Sequence, residues 1–79
     1  MNIKILGTGC SKCNHLEKKV RELVNINSIE ATIEKITDLK EIMKYGIMMT
    51  PGLVINDKVV SYGTIPGDNK IIQWLEEEK

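Results

Sequence analysis

The chain is poor in the residues that usually announce a protein's class. In 79 residues it has two cysteines, two prolines, one tryptophan, two tyrosines and no phenylalanine. Two cysteines are too few for a disulfide scaffold. Eleven basic residues balance eleven acidic ones for a formal net charge of zero, so no charge excess draws the chain to nucleic acid or to an anionic membrane. No apolar run approaches the roughly 20 residues that span a bilayer. The opening Met1-Asn2-Ile3-Lys4-Ile5-Leu6-Gly7 also lacks the basic and apolar regions of a secretory signal. The expectation is one domain, residues 1–79, cytoplasmic and monomeric, with no cofactor and with neither membrane nor nucleic acid as a partner. Internal repeats and low-complexity tracts are absent as well.

What is present is concentrated in Leu6-Gly7-Thr8-Gly9-Cys10-Ser11-Lys12-Cys13, where a strand pattern gives way to a helical one. A Cys-x-x-Cys at that junction places its first sulfur among the unpaired N–H groups and the positive end of a helix, which favour thiolate over thiol. Thiolate is the nucleophile in disulfide exchange and also a ligand for soft metals. In a reducing compartment such a pair is catalytic or metal-binding before it is a staple.

Ile3-Lys4-Ile5-Leu6 alternates, so residues 2–6 read as a strand that Gly7 and Gly9 end by letting the backbone turn tightly. From Ser11 to about Val24 the apolar positions Cys13, Leu16, Val20, Leu23 and Val24 form one helical stripe. This spacing puts Cys13 on the buried face and leaves Cys10 accessible at the helix mouth. Lys12, His15, Lys19 and Glu22 fall on the solvated face. Residues 31–36 read as a second strand. Thr37 or Asp38 caps a short helix through Met43 or Lys44, with Leu39, Ile42 and Met43 as its apolar side. Strands at 52–55 and 59–62 flank Asn56-Asp57-Lys58, whose Asn-Asp pair tolerates left-handed turn geometry. Pro66-Gly67-Asp68 starts a last helix with Ile71, Ile72, Leu75 and, at the edge, Trp74 inward. A right-handed crossover makes the first two strands parallel, and the hairpin adds an antiparallel pair. The fold class is therefore α/β in the order βαβαββα, a four-stranded mixed sheet with three helices.

That order, with Cys-x-x-Cys after the first strand, resembles the thioredoxin fold in its short form. A second motif, Lys44-Tyr45-Gly46-Ile47-Met48-Met49-Thr50-Pro51, is similar to the thioredoxin stretch that leads to a proline at the mouth of the third strand. A proline cannot donate to a strand ladder, and X-Pro is the one bond at which cis is cheap. Gly63 is similar to a glycine at the family's fourth-strand exit. The whole resembles the very small thioredoxin-like redox-active disulfide proteins of bacteria and archaea. The resemblance implies that Cys10 attacks, Cys13 resolves, and Thr50-Pro51 is a cis platform facing the cysteines that receives an extended substrate, with Met49 beside it. It also implies disulfide-containing proteins or small disulfides as substrates and a thioredoxin-reductase-like or dithiol electron donor.

The departures are local. Ser11 and Lys12 stand between the cysteines in place of the family's Gly-Pro or Pro-Tyr, and Gly9 replaces a tryptophan. Lys4 occupies the place of a buried aspartate: facing inward it would favour thiolate, facing outward it would do nothing. Lys12 reads equally as a thiol-activating charge and as a solvated lysine. Met48 and Met49 are candidates for an adaptable substrate rim, with at least one expected to fill the core. Two other readings of the pair stay open, a soft-metal carrier for Cu(I) or Zn(II) and a non-catalytic thioredoxin-like module. Ferredoxin-like metallochaperones share the early Cys-x-x-Cys but end helix then strand, whereas here a helix is last. His15 points about 200° around the helix from Cys13 and converges poorly with it.

Overall fold

The computed structural model describes residues 1–79. Its elements are β1 (Asn2–Leu6), α1 (Ser11–Ile26), β2 (Thr32–Ile36), α2 (Leu39–Met43), β3 (Gly52–Ile55), β4 (Lys58–Tyr62) and α3 (Asp68–Glu77). The sheet order is β2-β1-β3-β4. Strand β1 runs parallel to β2 and antiparallel to β3, which pairs antiparallel with β4. This is the expected βαβαββα arrangement.

The sheet has two unequal faces. Ile3 and Ile5 of β1 pack with Leu53 and Ile55 of β3 under Leu16 and Val20 of α1 and Ile71 and Leu75 of α3. All of these are at most 1% exposed, and a fully buried aliphatic side chain contributes roughly 1.5–3 kcal/mol. The stripe expected on α1 is the buried one: Cys13, Leu16, Val20, Leu23 and Val24. On the other face a smaller cluster joins Leu6, Val54, Ile42 and Ile47, edged by Ile36 and Tyr45.

Here two expectations are corrected. Helix α2 buries only Ile42, while Leu39 and Met43 are 59% and 64% exposed. Neither Met48 nor Met49 fills the core, at 94% and 60% exposed. The reason is space: Leu6, Val54, Ile42 and Ile47 already cover the sheet there, and a five-residue helix offers one inward position.

Lys4 shares this second face. Its Nζ donates to the Tyr45 hydroxyl at 3.0 Å and lies 3.8 Å from an Asp57 carboxylate oxygen. The alternation of β1 sends Ile3, Ile5 and Gly7 to the α1 side and Lys4 away from it, so Lys4 is the outward case as far as the cysteines are concerned.

Local endings follow turn chemistry. Helix α1 continues two residues past Val24 because the Asn27 side-chain amide donates to the Leu23 carbonyl at 2.8 Å, and Ser28, at φ 53°, makes the exit without a glycine. Asn56 and Asp57, at φ 49° and 66°, form a two-residue connection from Ile55 to Lys58, the left-handed geometry that a tight hairpin needs. The Asn56 side chain also accepts from the Asn2 backbone N–H at 2.9 Å.

Candidate active site

Three chain segments meet at one end of the sheet. The first is the turn from β1 into α1. Gly9, at φ 93°, makes the backbone reversal, and Cys10 follows as the N-cap of α1 in extended conformation. Its sulfur does what a capping oxygen usually does: Cys10 Sγ accepts from the Cys13 backbone N–H at 3.2 Å. One of the helix's unpaired donors is thereby aimed at a sulfur.

Gly7 serves a purpose other than the turn expected of it. A β-carbon there would overlap the Cys13 sulfur and come within 2.8 Å of the Cys13 Cβ. The missing side chain is the space that Cys13 occupies, and no positive φ is involved. Cys13 is consequently 1% exposed, whereas Cys10 is open to solvent, and both are free thiols.

These surroundings separate the two thiols electrostatically. The Cys10 thiol is held below its ordinary value, first by a hydrogen bond from the Cys13 side chain and then by the Cys13 backbone N–H. Burial pushes the Cys13 thiol up, and its hydrogen bond to Cys10 adds to the rise, while the Thr50 side chain weakly opposes it. Desolvation disfavours a charged sulfur and hydrogen bonds to the charged form favour it, so burial of Cys13, together with the hydrogen bond that the two thiols share, drives the pair apart.

The second segment is Met49-Thr50-Pro51 at the entrance to β3. The Thr50–Pro51 bond is cis. Leu6 pairs with Gly52 across β1 and β3, which sets Pro51 opposite Gly7 and hence beside Cys13. Pro51 is buried and Thr50 half-buried. All five residues singled out from the sequence, Cys10, Cys13, Met49, Thr50 and Pro51, are therefore brought to this end of the sheet.

The third segment is the exit from β4. Gly63, at φ 78°, donates its N–H to the Pro51 carbonyl at 2.8 Å, and a β-carbon on it would lie 3.2 Å from the Met49 Cβ. Gly63 thus holds the proline loop from behind, an arrangement legible in sequence only through the family resemblance. Ile65 was not singled out at all. It lines a shallow cleft of about 260 Å³ with Ser11, Lys12 and His15 on the α1 side of the site, and its isolated position between polar and proline residues gives no periodicity to read.

His15 is exposed in that cleft. No group of three or more His, Cys, Asp or Glu side chains gathers anywhere in the chain. The arrangement as it stands is an exposed, activated sulfur backed by a buried one.

A family model described as a thioredoxin domain matches residues 1–76. Among similar proteins, one named thioredoxin from Methanocaldococcus jannaschii is 39% identical over 74 residues, covering 94% of this chain and 85% of that one. Another thioredoxin, from Methanothermobacter thermautotrophicus, is 37% identical over 75 residues, covering 95% and 97% respectively. A probable thioredoxin of Archaeoglobus fulgidus is 31% identical over 70 residues, covering 89% and 76%.

Proposed function

The chain belongs to the thioredoxin domain family and is a thiol-disulfide oxidoreductase; we propose that Cys10 is its attacking thiol and Cys13 its resolving thiol. The observation that carries this assignment is the asymmetry of the pair: Cys10 is exposed and receives the Cys13 N–H at 3.2 Å, while Cys13 is 1% exposed. Only the first sulfur can reach a substrate, and it is also the one favoured as thiolate.

The cycle follows from that order. Cys10 thiolate attacks one sulfur of a substrate disulfide, forming a mixed disulfide and releasing the other sulfur as a thiolate that takes up a proton. Cys13 then loses its proton and attacks the Cys10 sulfur. The Cys10–Cys13 disulfide forms, the second substrate thiol leaves, and two electrons have passed from protein to substrate. A thioredoxin-reductase-like or dithiol donor returns the pair to the dithiol state. Met49, Thr50 and Pro51 are the platform against which the substrate disulfide lies, because the backbone N–H and C=O groups of Met49 and Thr50, just ahead of β3, have no backbone partner and are free to pair with an extended substrate.

We place this cycle in electron transport and redox homeostasis of a reducing cytoplasm, where a lone Cys-x-x-Cys cycles rather than staples. No helix is long and apolar enough to cross a membrane. The test is turnover of a disulfide with dithiothreitol as donor. Cys10→Ser should abolish multiple turnover, because the one remaining thiol, Cys13, is buried and has no partner cysteine with which to close a disulfide; retained turnover would sink the role assignment.

A further inference from the structure

A formal net charge of zero conceals an uneven distribution of charge. All the cationic side chains except Lys12, Lys18, Lys40 and Lys70 are held in ion pairs. Two of these four, Lys12 and Lys18, stand exposed on the part of α1 that begins beside Cys10. Lys12 lines the shallow cleft that holds Ser11, His15 and Ile65. Lys18 lines a second cleft, of about 270 Å³, between α1 and the start of α3. His15 belongs to both, so the two form one groove leading away from the helix mouth. Two carboxylates border its farther half: Asp68, bound to Lys19 at 3.0 Å, and Glu22, one turn beyond Lys18. No carboxylate lines the half beside Cys10. At the opposite end of the molecule Glu30 and Glu78 share a cleft with Met1, and Glu30 and Glu77 enter no ion pair.

We propose that this groove receives an acidic stretch of a partner polypeptide, laid along the first turns of α1 while the partner's cysteine reacts at Cys10, so that exchange is fastest with partners carrying aspartate or glutamate near that cysteine. The inference rests on the reading of Cys10 as the attacking thiol. Charge fixes the sign of the occupant. Lys12 and Lys18 have no carboxylate of their own, and the positive end of α1 lies at the same place. Carboxylates at the far end repel an anionic partner from that end and steer it toward the exposed sulfur. Span fixes the occupant's size. The six helical positions from Lys12 to Lys18 cover about 9 Å along the axis, the length of about three residues of extended chain. A small anion meets one of the two ammonium groups, whereas a polypeptide with two carboxylates at that interval meets both.

The experiment uses two peptides of one length, each with a single cysteine activated as its 2-pyridyl disulfide. One carries aspartate two and five residues from the cysteine, and the other carries asparagine at both positions. Attack of the Cys10 thiolate on the peptide sulfur forms a mixed disulfide and releases pyridine-2-thione, which is followed by absorbance. Each rate is divided by the same peptide's rate with dithiothreitol. In 10 mM salt, where the screening length is about 30 Å, wild type should favour the aspartate peptide about fivefold; in 1 M salt, where it is about 3 Å, the ratio should fall to about one. Lys12→Gln/Lys18→Gln should bring the low-salt ratio to about one, and the ratio cancels any change in Cys10 itself. Lys40→Gln/Lys70→Gln removes the same charge elsewhere and should keep the wild-type ratio. A wild type without the preference, a preference that survives the loss of Lys12 and Lys18, or one lost equally with Lys40 and Lys70 overturns the proposal. So does a fivefold preference for 3-(2-pyridyldithio)propionate over its amide, which would make a small anion the occupant. Failure of both peptides to release pyridine-2-thione would remove the exchange reading itself, whereas equal release from both removes only the acidic partner.

Discussion

Cys10 and Cys13 are one helical turn apart on the same helix, but they occupy different surroundings. Cys10 faces water at the mouth of α1 with an N–H aimed at its sulfur. Cys13 fills the space left by a missing side chain at Gly7, beside Pro51 and away from water. Packing thus gives identical side chains different surroundings, and in the proposed cycle the exposed sulfur begins the reaction and the buried one finishes it. Burial opposes the Cys13 thiolate, while its N–H and S–H support the Cys10 thiolate. The lesson is that a reactive pair needs a poor thiol as much as a good one, because the poor thiol is the proton and hydrogen-bond donor that makes the other good.

The comparison predicts different failures when either sulfur is lost. Cys13→Ser should keep the first attack and lose resolution, so that incubation with a peptide disulfide accumulates a mixed disulfide on Cys10 approaching one per chain, read by mass spectrometry. Equal trapping on Cys10 and Cys13 in the two single variants would erase the distinction. Gly7→Ala intrudes on the Cys13 pocket alone. It should destabilise the reduced protein by about 1–3 kcal/mol, the usual range for overpacking, lowering the thermal midpoint by about 4–8 °C per kcal/mol in a domain of this size. An unchanged midpoint would mean that Cys13 is not held where β1 ends. The smallest effect belongs to Lys4→Met. Because Lys4 contacts Tyr45 and Asp57 on the opposite face, the Cys10 alkylation midpoint should stay within about 0.3 pH unit of wild type, the solvent-screened influence of a remote charge. A larger drop or rise would place that ammonium in the site after all.

Much of this was legible in the chain because it depends on local rules. The 3.6-residue stripe of α1 names Cys13 as buried, and the Asn56-Asp57 pair names its own turn. Thr50-Pro51 and the Cys-x-x-Cys mark the two walls of the candidate site through a resemblance to the family to which the chain belongs. What was not legible depends on how much room the sheet leaves. Leu39, Met43, Met48 and Met49 look like core by composition. They are excluded from it because Leu6, Val54, Ile42 and Ile47 cover that face first. Gly7 looks like turn chemistry until the Cys13 sulfur is seen in the place of its side chain. Ile65 contributes through a cleft shared with α1, a contact between residues roughly fifty positions apart that no periodicity encodes.

The central claim, that packing gives the two sulfurs opposite thiol acidities, is tested most directly by the pH dependence of iodoacetamide alkylation at each cysteine, resolved by mass spectrometry under pulse conditions. Only thiolate reacts, so a lowered pKa moves the half-maximal rate to lower pH and a raised pKa moves it higher. Free cysteine titrates near about 8.5. Cys10 should show its midpoint below that value, and Cys13 should be slow, with its midpoint above it. Superimposed profiles, or a Cys13 midpoint below that of Cys10, would contradict the account.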